Sequence, residues 1–182
     1  MATPEEVTAH VRTMIPIFDA MQVEIVEAGR TTVAARLPSG PNVNHFGTTY
    51  AGSLFSVAEV LGGGVYASTS LVLEGAVPLV KQVTIDFLRP ATTDVVARAT
   101  LSEETIARVL AETEATGKSD FVLDADVTDE QGTVVARTTA STSCADWAEG
   151  DRPTGPPRGL RSKVPVPIPV STPARLLPEA IT

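Results

Sequence analysis

The 182-residue sequence has few of the residues that hold disulfides, metal ions and nucleic acids. Its 1 cysteine, Cys144, cannot form an internal disulfide, and its 2 histidines, His10 and His45, are too few for a histidine-based metal site. The 14 basic residues are outnumbered by 22 acidic ones, which leaves a net charge of -8 instead of the basic face that binds nucleic acid. A glycine-rich phosphate loop is also missing. We therefore expect no metal, no other cofactor and no nucleic-acid partner.

Long hydrophobic runs and a secretory leader are absent as well. Glu59, Glu74 and Lys81 interrupt the most apolar region, so no stretch reaches the length of a membrane span. The amino terminus is acidic and polar, unlike a signal peptide. Because 43% of the residues are hydrophobic, the chain can still build a core. We expect a soluble, cytoplasmic protein with no membrane partner.

Proline divides the chain into two parts. Residues 146–182 hold 8 of the 14 prolines. We expect a globular domain over residues 1–145 and a Pro-rich C-terminal extension over residues 146–182. The extension is either a flexible appendage or an arm that docks on the body or on a partner subunit. It carries five basic and four acidic residues, so the body is left with a net charge of -9.

Hydrophobic periodicity in the first half of the body predicts two helices around a hairpin. The spacing of apolar residues predicts a helix from about residue 4 to residue 20. Short β-branched runs over residues 23–27 and 31–37 predict a hairpin. The segment 50–73 is apolar on nearly all sides, which predicts a helix buried on all sides. Three glycines at residues 62–64 are expected to end or distort it.

The second half of the body changes to a period of two, which predicts strands. Residues 102–117 suit either a helix or a strand with a long turn, and residues 129–132 predict a hairpin connection. The predicted strands cover residues 83–87, 95–101, 121–127 and 134–142. The sum is an α+β domain in which a mostly antiparallel sheet wraps one long helix.

Glu59 is the carboxylate most suited to chemistry. It is the only acidic residue between Arg36 and Glu74, and it falls on the helix expected to be buried. Burial of an unpaired acid is costly and raises its pKa. Two interpretations follow. In the first, the Glu59 side chain reaches the surface or is neutralised by a hydrogen bond that the sequence does not reveal. In the second, it serves as a base or nucleophile.

The loop that leads into this helix adds a second feature. Backbone N–H groups at Ala51, Gly52 and Ser53 are expected to be free at the helix N-terminus, where they could hold a negatively charged oxygen. In the loop itself, Asn44 and His45 are either ordinary loop residues or site residues, and Tyr50 is either a packing aromatic or a hydroxyl at the site entrance. An oxyanion site with a carboxylate two turns along the helix suits attack on an ester or thioester carbonyl.

Three stretches resemble the hotdog-fold acyl-CoA thioesterases of the phenylacetate-pathway type and their bacterial relatives. The family's loop N-x-x-G-x-x-H-G-G is followed by a helix of the form L-F-A-L-A-[DE] and later by a strand that ends in F-L-R-P-A. The matching residues here are Asn44, Gly47, Gly52, Leu54, Phe55, Ala58, Glu59, and Phe87 to Ala91. Tyr50 and Ala51 stand where His and Gly are usual. The pattern N-H-x-x-T of other relatives is matched by Asn44, His45 and Thr48, which indicates a divergent subgroup.

The resemblance implies a function and an assembly. Glu59 takes the place of the family's catalytic acid, as nucleophile or as base for water. Asn44 takes the place of a residue that positions substrate or water, and the amides of Ala51 and Gly52 would polarise the thioester carbonyl. The candidate catalytic residues are thus Glu59, Asn44, His45 and Tyr50, and the candidate substrate-binding residues are Thr48, Ala51, Gly52 and Ser53. The implied substrate is an acyl-CoA or acyl-carrier thioester, and the implied assembly is a homodimer or tetramer with sites between subunits.

Two other functions stay open at this point. The same fold hosts dehydratases and hydratases, in which Glu59 or His45 could move a proton. A non-catalytic acyl-thioester binder is also possible, because the usual His and Gly are replaced at positions 50 and 51.

Overall fold

The computed structural model describes residues 3–68 and 76–146, so the predicted extension beyond Asp146 lies outside the described residues. In chain order the elements are α1 (Pro4–Met14), α2 (Pro16–Ala20), β1 (Glu24–Ala28), β2 (Thr32–Leu37), a 3-10 turn (Gly40–Asn42), α3 (Ala51–Ser68), β3 (Ala76–Phe87), β4 (Val95–Thr100), α4 (Glu103–Thr116), β5 (Lys118–Asp129) and β6 (Val134–Asp146).

The six strands form one antiparallel sheet in the order β1-β2-β4-β5-β6-β3. Helix α3 contacts all six strands, so it lies across the inner face of the sheet. The predicted α+β architecture, a sheet wrapped around one long helix, is confirmed. Val57, Leu61 and Val65 project from α3 into the core and are fully buried. Each such side chain contributes roughly 1.5–3 kcal/mol of burial free energy, so α3 is the main internal support of the domain.

The first predicted helix is split in two. Residues 4–20 form α1 and α2, with Ile15 between them in a non-helical conformation (φ -130°, ψ 89°). Pro16 explains the break, because its ring disfavours the helical conformation of the preceding residue and it has no N–H to continue the hydrogen-bond ladder. The prediction of one continuous helix is therefore wrong at Ile15.

The prediction that Gly62–Gly64 ends or distorts the central helix is also wrong, because α3 continues to Ser68. A Cβ on Gly64 would lie 2.8 Å from the Val33 side chain, so glycine allows the helix to approach strand β2 closely. Tertiary packing thus overrides the weak intrinsic helix propensity of glycine. Residues 69–73, the end of the predicted segment, lie outside the described residues.

One side of α3 is not covered by the described residues. Phe55 is 38% exposed and Gly63 is exposed, although the sequence predicts a helix buried on all sides. Within residues 3–68 and 76–146 the prediction fails, because the sheet covers only the face that carries the core residues. The exposed side is apolar, which is unusual for a surface left in water.

The ambiguous segment 102–117 is helix α4. Ser102 caps its N-terminus by accepting a hydrogen bond from the Thr105 N–H, and Gly117 ends it in the left-handed conformation (φ 73°). The β5–β6 connection at residues 129–132 is the predicted hairpin, with the Asp129 carboxylate accepting backbone N–H groups of the turn.

The two edges of the sheet differ. At the β1 edge, helix α1 covers the strand: the Ile25 N–H donates to Thr8 Oγ1 at 2.8 Å, and Arg12 Nε donates to the Val23 carbonyl at 2.9 Å. At the other edge β3 pairs with β6 alone, and no described strand lies beyond it. Leu79 and Val80 on β3 are 41% and 39% exposed.

Candidate functional site

The loop before α3 is closed by its own polar groups. A bridge joins Val43 to Thr49, and Gly47 takes a positive φ of 76° at the turn. Within the loop the Asn44 N–H donates to the Thr48 carbonyl at 2.8 Å, and Asn44 Nδ2 donates to Thr48 Oγ1 at 2.9 Å. The Asn44 side-chain oxygen accepts the Thr48 N–H at 3.3 Å. Asn44 and Thr48 therefore shape the loop, and their predicted contact with substrate stays a prediction.

Asn42, which sequence reasoning missed, anchors the base of this loop. Its buried side chain donates to the carbonyls of Met21 and Pro38, each at 2.8 Å. Its own carbonyl accepts the Tyr50 N–H at 2.8 Å. The Pro-Asn dipeptide at 41–42 signals only a chain break, so no sequence signal distinguishes this buried asparagine from an ordinary turn residue.

The first two amides of α3 are available to a ligand. Among the described residues no acceptor is found for the N–H of Ala51 or Gly52. The Ser53 N–H, in contrast, donates to the Tyr50 carbonyl at 2.9 Å. The expectation of a free amide at Ser53 is therefore wrong, because the first turn closes on Tyr50. Two free N–H groups at a helix N-terminus still suit a partial negative charge.

The aromatic residues of the loop lie at its surface. Tyr50 is 59% exposed, and its ring covers Gly52: a Cβ built on Gly52 would lie 2.4 Å from the ring. His45 is exposed at the tip of the loop, with its ring centroid 3.8 Å from that of Phe46. Their predicted catalytic roles stay predictions.

A cleft of about 320 Å³ lies beside the loop, the start of α3 and the end of β3. The Thr49 N–H donates to the Ala91 carbonyl at 2.8 Å, which joins the loop to the chain that follows β3. Three predicted site residues line the cleft, and Glu59, His45, Tyr50, Gly52 and Ser53 do not. The lining that matters for chemistry comprises Asn44, Thr48, Thr49, Ala51, Phe87 and Arg89.

One hydroxyl of the cleft lacks a partner, and one guanidinium of the cleft forms no ion pair with the described residues. The Thr49 hydroxyl is buried and has no hydrogen-bond partner among the described residues, a costly arrangement unless something binds it. Arg89 forms no ion pair with a described acid, and its Nη1 donates to the Val134 carbonyl at 3.4 Å. Arg36 and Lys81, in contrast, are paired with Asp94 and Asp120. Sequence reasoning missed Thr49, because a threonine beside a helix start carries no distinctive signal.

Glu59 lies two turns along α3. It is half-buried, and burial raises the pKa of its carboxyl group above the ordinary value. Its carboxylate forms no hydrogen bond or ion pair with a described residue. Glu59 and Gly62 are three residues apart and share a helix face, and the Cβ that Gly62 lacks would lie 4.0 Å from Val80 on β3. Glu59 therefore stands on the side of α3 that looks toward the open β3 edge.

The separation of Glu59 from the free amides is set by the helix. With a rise of about 1.5 Å per residue, the Ala51 and Glu59 backbones lie about 12 Å apart along the axis. A carboxylate and an oxyanion donor that act on one carbonyl need to be within about 3–3.5 Å of its atoms. Within one chain the two groups are poorly matched, although the sequence suggested that one helix could supply both.

The described residues offer neither a metal-binding cluster nor an activated cysteine. No set of three or more His, Cys, Asp or Glu side chains is grouped as a metal site within residues 3–68 and 76–146. Cys144 is buried, and burial raises the pKa of its thiol, which disfavours the reactive thiolate.

The family model for a domain of unknown function (DUF4442) matches residues 4–143. The chain belongs to this family. No curated protein matches the sequence. None of the described helices has the length and apolar character needed to cross a bilayer.

Solved structures resemble this member of the DUF4442 family closely in fold. A protein of unknown function from Pseudomonas aeruginosa, PA5026, described as a "probable thioesterase", is 32% identical, with a TM-score of 0.73 over 81% of this chain and 99% of its own. Thioesterase HI1161 from Haemophilus influenzae is 18% identical, with a TM-score of 0.67 over 84% of this chain and 96% of its own. A mutant of thioesterase PA1618 from P. aeruginosa is 15% identical, with a TM-score of 0.63 over 81% of this chain and 97% of its own. The chain has the thioesterase-like hotdog fold that the sequence resemblance implies.

Proposed function

We propose that this protein is a thioesterase that hydrolyses an acyl-CoA or acyl-carrier thioester. The observation that carries the proposal is Glu59, a carboxylate of raised pKa that has no described partner and lies on the helix whose first two amides are free. Unpaired, partly buried acids are characteristic of catalytic sites. The names of PA5026 and HI1161 support the same reaction.

In the proposed reaction the thioester carbonyl oxygen accepts hydrogen bonds from the Ala51 and Gly52 amides. Glu59 takes a proton from water, whose oxygen attacks the carbonyl carbon, or its carboxylate attacks directly to form an anhydride that water then cleaves. The C–S bond breaks as the tetrahedral intermediate collapses, and the leaving thiolate is protonated to the free thiol. The raised pKa of Glu59 makes it a stronger base than an ordinary glutamate.

We infer further that two copies of the chain build each site. The distance of about 12 Å along α3 favours an arrangement in which the amides of one chain face Glu59 of the partner subunit. The open β3 edge, with Leu79 and Val80 exposed, supplies main-chain groups and apolar surface for a second copy. The exposed side of α3, including Phe55, would then be covered.

Release of free thiol from a panel of acyl-CoAs, varied in chain length and aromaticity, tests the reaction. Glu59→Gln keeps the shape of the side chain but removes the base, so we expect turnover to fall by about 10²–10⁴-fold with an unchanged circular dichroism spectrum. Glu114→Gln, a change of an exposed glutamate on α4, is the matched control and should retain full activity.

Three results would contradict the proposal, the first in its mechanism and the other two in its reaction. Thiol release that is indifferent to Glu59→Gln would remove the residue from the mechanism. A modified acyl group without free thiol would favour a hydratase or dehydratase. Tight acyl-CoA binding without any turnover would favour a binding protein.

A further inference from the structure

Arg89 differs from the other arginines of the described chain. It lies just beyond β3, is exposed, and forms no ion pair with a described acid. Its hydrogen bond to the Val134 carbonyl is long, at 3.4 Å. Every other described arginine pairs with an acid: Arg12, Arg30, Arg36, Arg98, Arg108 and Arg137. In a chain with 22 acidic and 14 basic residues, a guanidinium without a carboxylate partner is available to a different anion.

The cleft beside Arg89 holds no competing acid. Its volume of about 320 Å³ is in the usual range for small-molecule sites, and no Asp or Glu is among the described residues that line it. Asp86, the acid nearest to Arg89 in the sequence, lines a separate depression, because successive residues of β3 point to opposite faces of the sheet. Arg89 is therefore the only charged residue in the described lining, and the cleft favours an anionic ligand although the chain as a whole is acidic.

Apolar side chains accompany this charge. Phe87 and Leu88, the two residues before Arg89, also line the cleft and are 51% and 47% exposed. A ligand that joins an apolar branch to an anionic end would cover both kinds of surface. The phosphopantetheine arm of CoA and of acyl-carrier proteins has this composition, because a dimethyl-substituted carbon lies next to its phosphate.

We propose that Arg89 binds the phosphate of the phosphopantetheine arm, with the arm lying in the cleft and the thioester at its Ala51 end. The inference rests on the proposed thioesterase function. Ala51 and Arg89 both line the cleft and are exposed, so one ligand that enters from solvent can reach both. A guanidinium can form two parallel hydrogen bonds with phosphate oxygens, and the single bond to Val134 leaves other N–H donors for them. The net charge of -8 favours CoA over an acidic carrier protein as the source of the arm.

A series of thioesters with the same acyl group tests this inference. Hexanoyl-pantetheine, hexanoyl-phosphopantetheine, hexanoyl-dephospho-CoA and hexanoyl-CoA are compared by kcat/KM of thiol release. We expect the phosphate of phosphopantetheine to raise kcat/KM by about tenfold or more over pantetheine, mainly through KM. Arg89→Gln should bring that ratio close to one with little change in kcat. Arg89→Lys should restore part of it, because lysine keeps the charge and loses the planar fork.

Controls separate this site from general charge effects. Lys118→Gln removes an exposed cation at the start of β5 and should keep the wild-type ratio. Hexanoyl on an acyl-carrier protein distinguishes the two sources of the arm, and we expect it to react more slowly than hexanoyl-CoA. Loss of either reaction's phosphate dependence in Arg89→Gln supports the site.

The inference and the proposed reaction can fail separately. Turnover with equal kcat/KM for the pantetheine and phosphopantetheine thioesters, or a wild-type ratio in Arg89→Gln, would overturn the inference and leave hydrolysis standing. If no thioester releases thiol, calorimetric Kd values of the matching non-hydrolysable thioethers decide. Tighter binding of the phosphorylated thioether that is lost in Arg89→Gln would then remove the reaction and keep the phosphate site, whereas equal Kd values would remove both.

Discussion

The two edges of the sheet differ in whether other parts of the described chain supply partners for their outward backbone groups. At the β1 edge, Thr8 and Arg12 of helix α1 satisfy the outward N–H and C=O groups of Ile25 and Val23. At the β3 edge, a strand of 12 residues is the last one among the described residues, and apolar side chains such as Leu79 are exposed there. Unpaired strand edges promote association with other chains, and proteins usually protect them.

Within the described residues, the backbone groups of the β1 edge have partners from helix α1, whereas β3 has a neighbouring strand on one side only. Helix α1 covers the β1 edge and supplies side-chain partners for its backbone groups. Glu59 lies one turn before Gly62, whose missing Cβ would be 4.0 Å from Val80 of β3, so Glu59 is on the side of α3 nearest the β3 edge. We take the β3 edge to be the proposed interface between two copies of the chain, which would complete the site.

The largest expected effect comes from charging each edge in turn. Leu79→Lys places a cation on the β3 edge, where it would be desolvated between two copies, so we expect dimers to become monomers and thiol release to fall at least tenfold. Val26→Lys changes an equally exposed residue, 45% against 41%, on the closed β1 edge and should alter neither property. Light scattering with size-exclusion chromatography measures the assembly. Equal responses of the two variants would remove the distinction between the edges.

A smaller effect is expected when the closed edge is opened. Thr8→Val deletes a side-chain hydrogen bond to Ile25 of β1, and Arg12→Met deletes one to Val23, the residue before β1. The free energy of unfolding should therefore fall by about 1 kcal/mol for each variant. Urea denaturation measures the change. Thr13→Val is the control, because the Thr13 hydroxyl bonds Ala9 within α1 and does not reach the sheet. Wild-type stability in both edge variants would show that α1 covers β1 without supporting it.

The smallest effect contrasts two carboxyl groups over pH. Burial raises the pKa of Glu59, so its native form holds the proton more tightly, and its stabilising contribution is present below the unfolded pKa of about 4.3 and lost as pH rises through the native value. The Ser39 N–H and Arg36 lower the pKa of Asp94, so its contribution is present at neutral pH and lost as pH falls through the native value.

Unfolding midpoints measured from pH 3 to 8 test these signs. Glu59→Gln should be more stable than wild type at pH 8, with the difference shrinking toward acid, whereas Asp94→Asn should be less stable at pH 8, again with a shrinking difference. The two differences should have opposite signs at neutral pH. A shared sign would mean that burial does not govern Glu59.

Much of the fold could be predicted because it follows from local rules. The period-two strands, the hairpin at 129–132 and the apolar α3 are all read from side-chain spacing. The break at Ile15 also follows from a local rule, the effect of Pro16 on its neighbour, which the helical spacing of apolar residues obscured. The continuation of α3 through Gly64 could not be predicted, because it depends on contact with Val33, which is distant in sequence.

The candidate site divides in the same way. Glu59 could be singled out because a lone acid in an apolar helix is conspicuous, and the free amides follow from the position of the helix start. Thr49 could not, because threonine is common in strands and loops and only the folded chain reveals which hydroxyls are buried without partners. The use of the Ser53 amide by Tyr50 is likewise a detail of the first helical turn.

The ring of Tyr50 over Gly52 has a consequence for how this sequence can change. A methyl group at position 52 would lie 2.4 Å from the ring, so the effect of a substitution at 52 depends on the residue at 50. Residues in contact show non-additive effects, and the two positions are therefore epistatic. An alanine at 52 would have to displace the exposed Tyr50 ring from its place over the helix start, whereas the same alanine beside a smaller residue at 50 would displace nothing. A change at either position therefore alters what the other position tolerates.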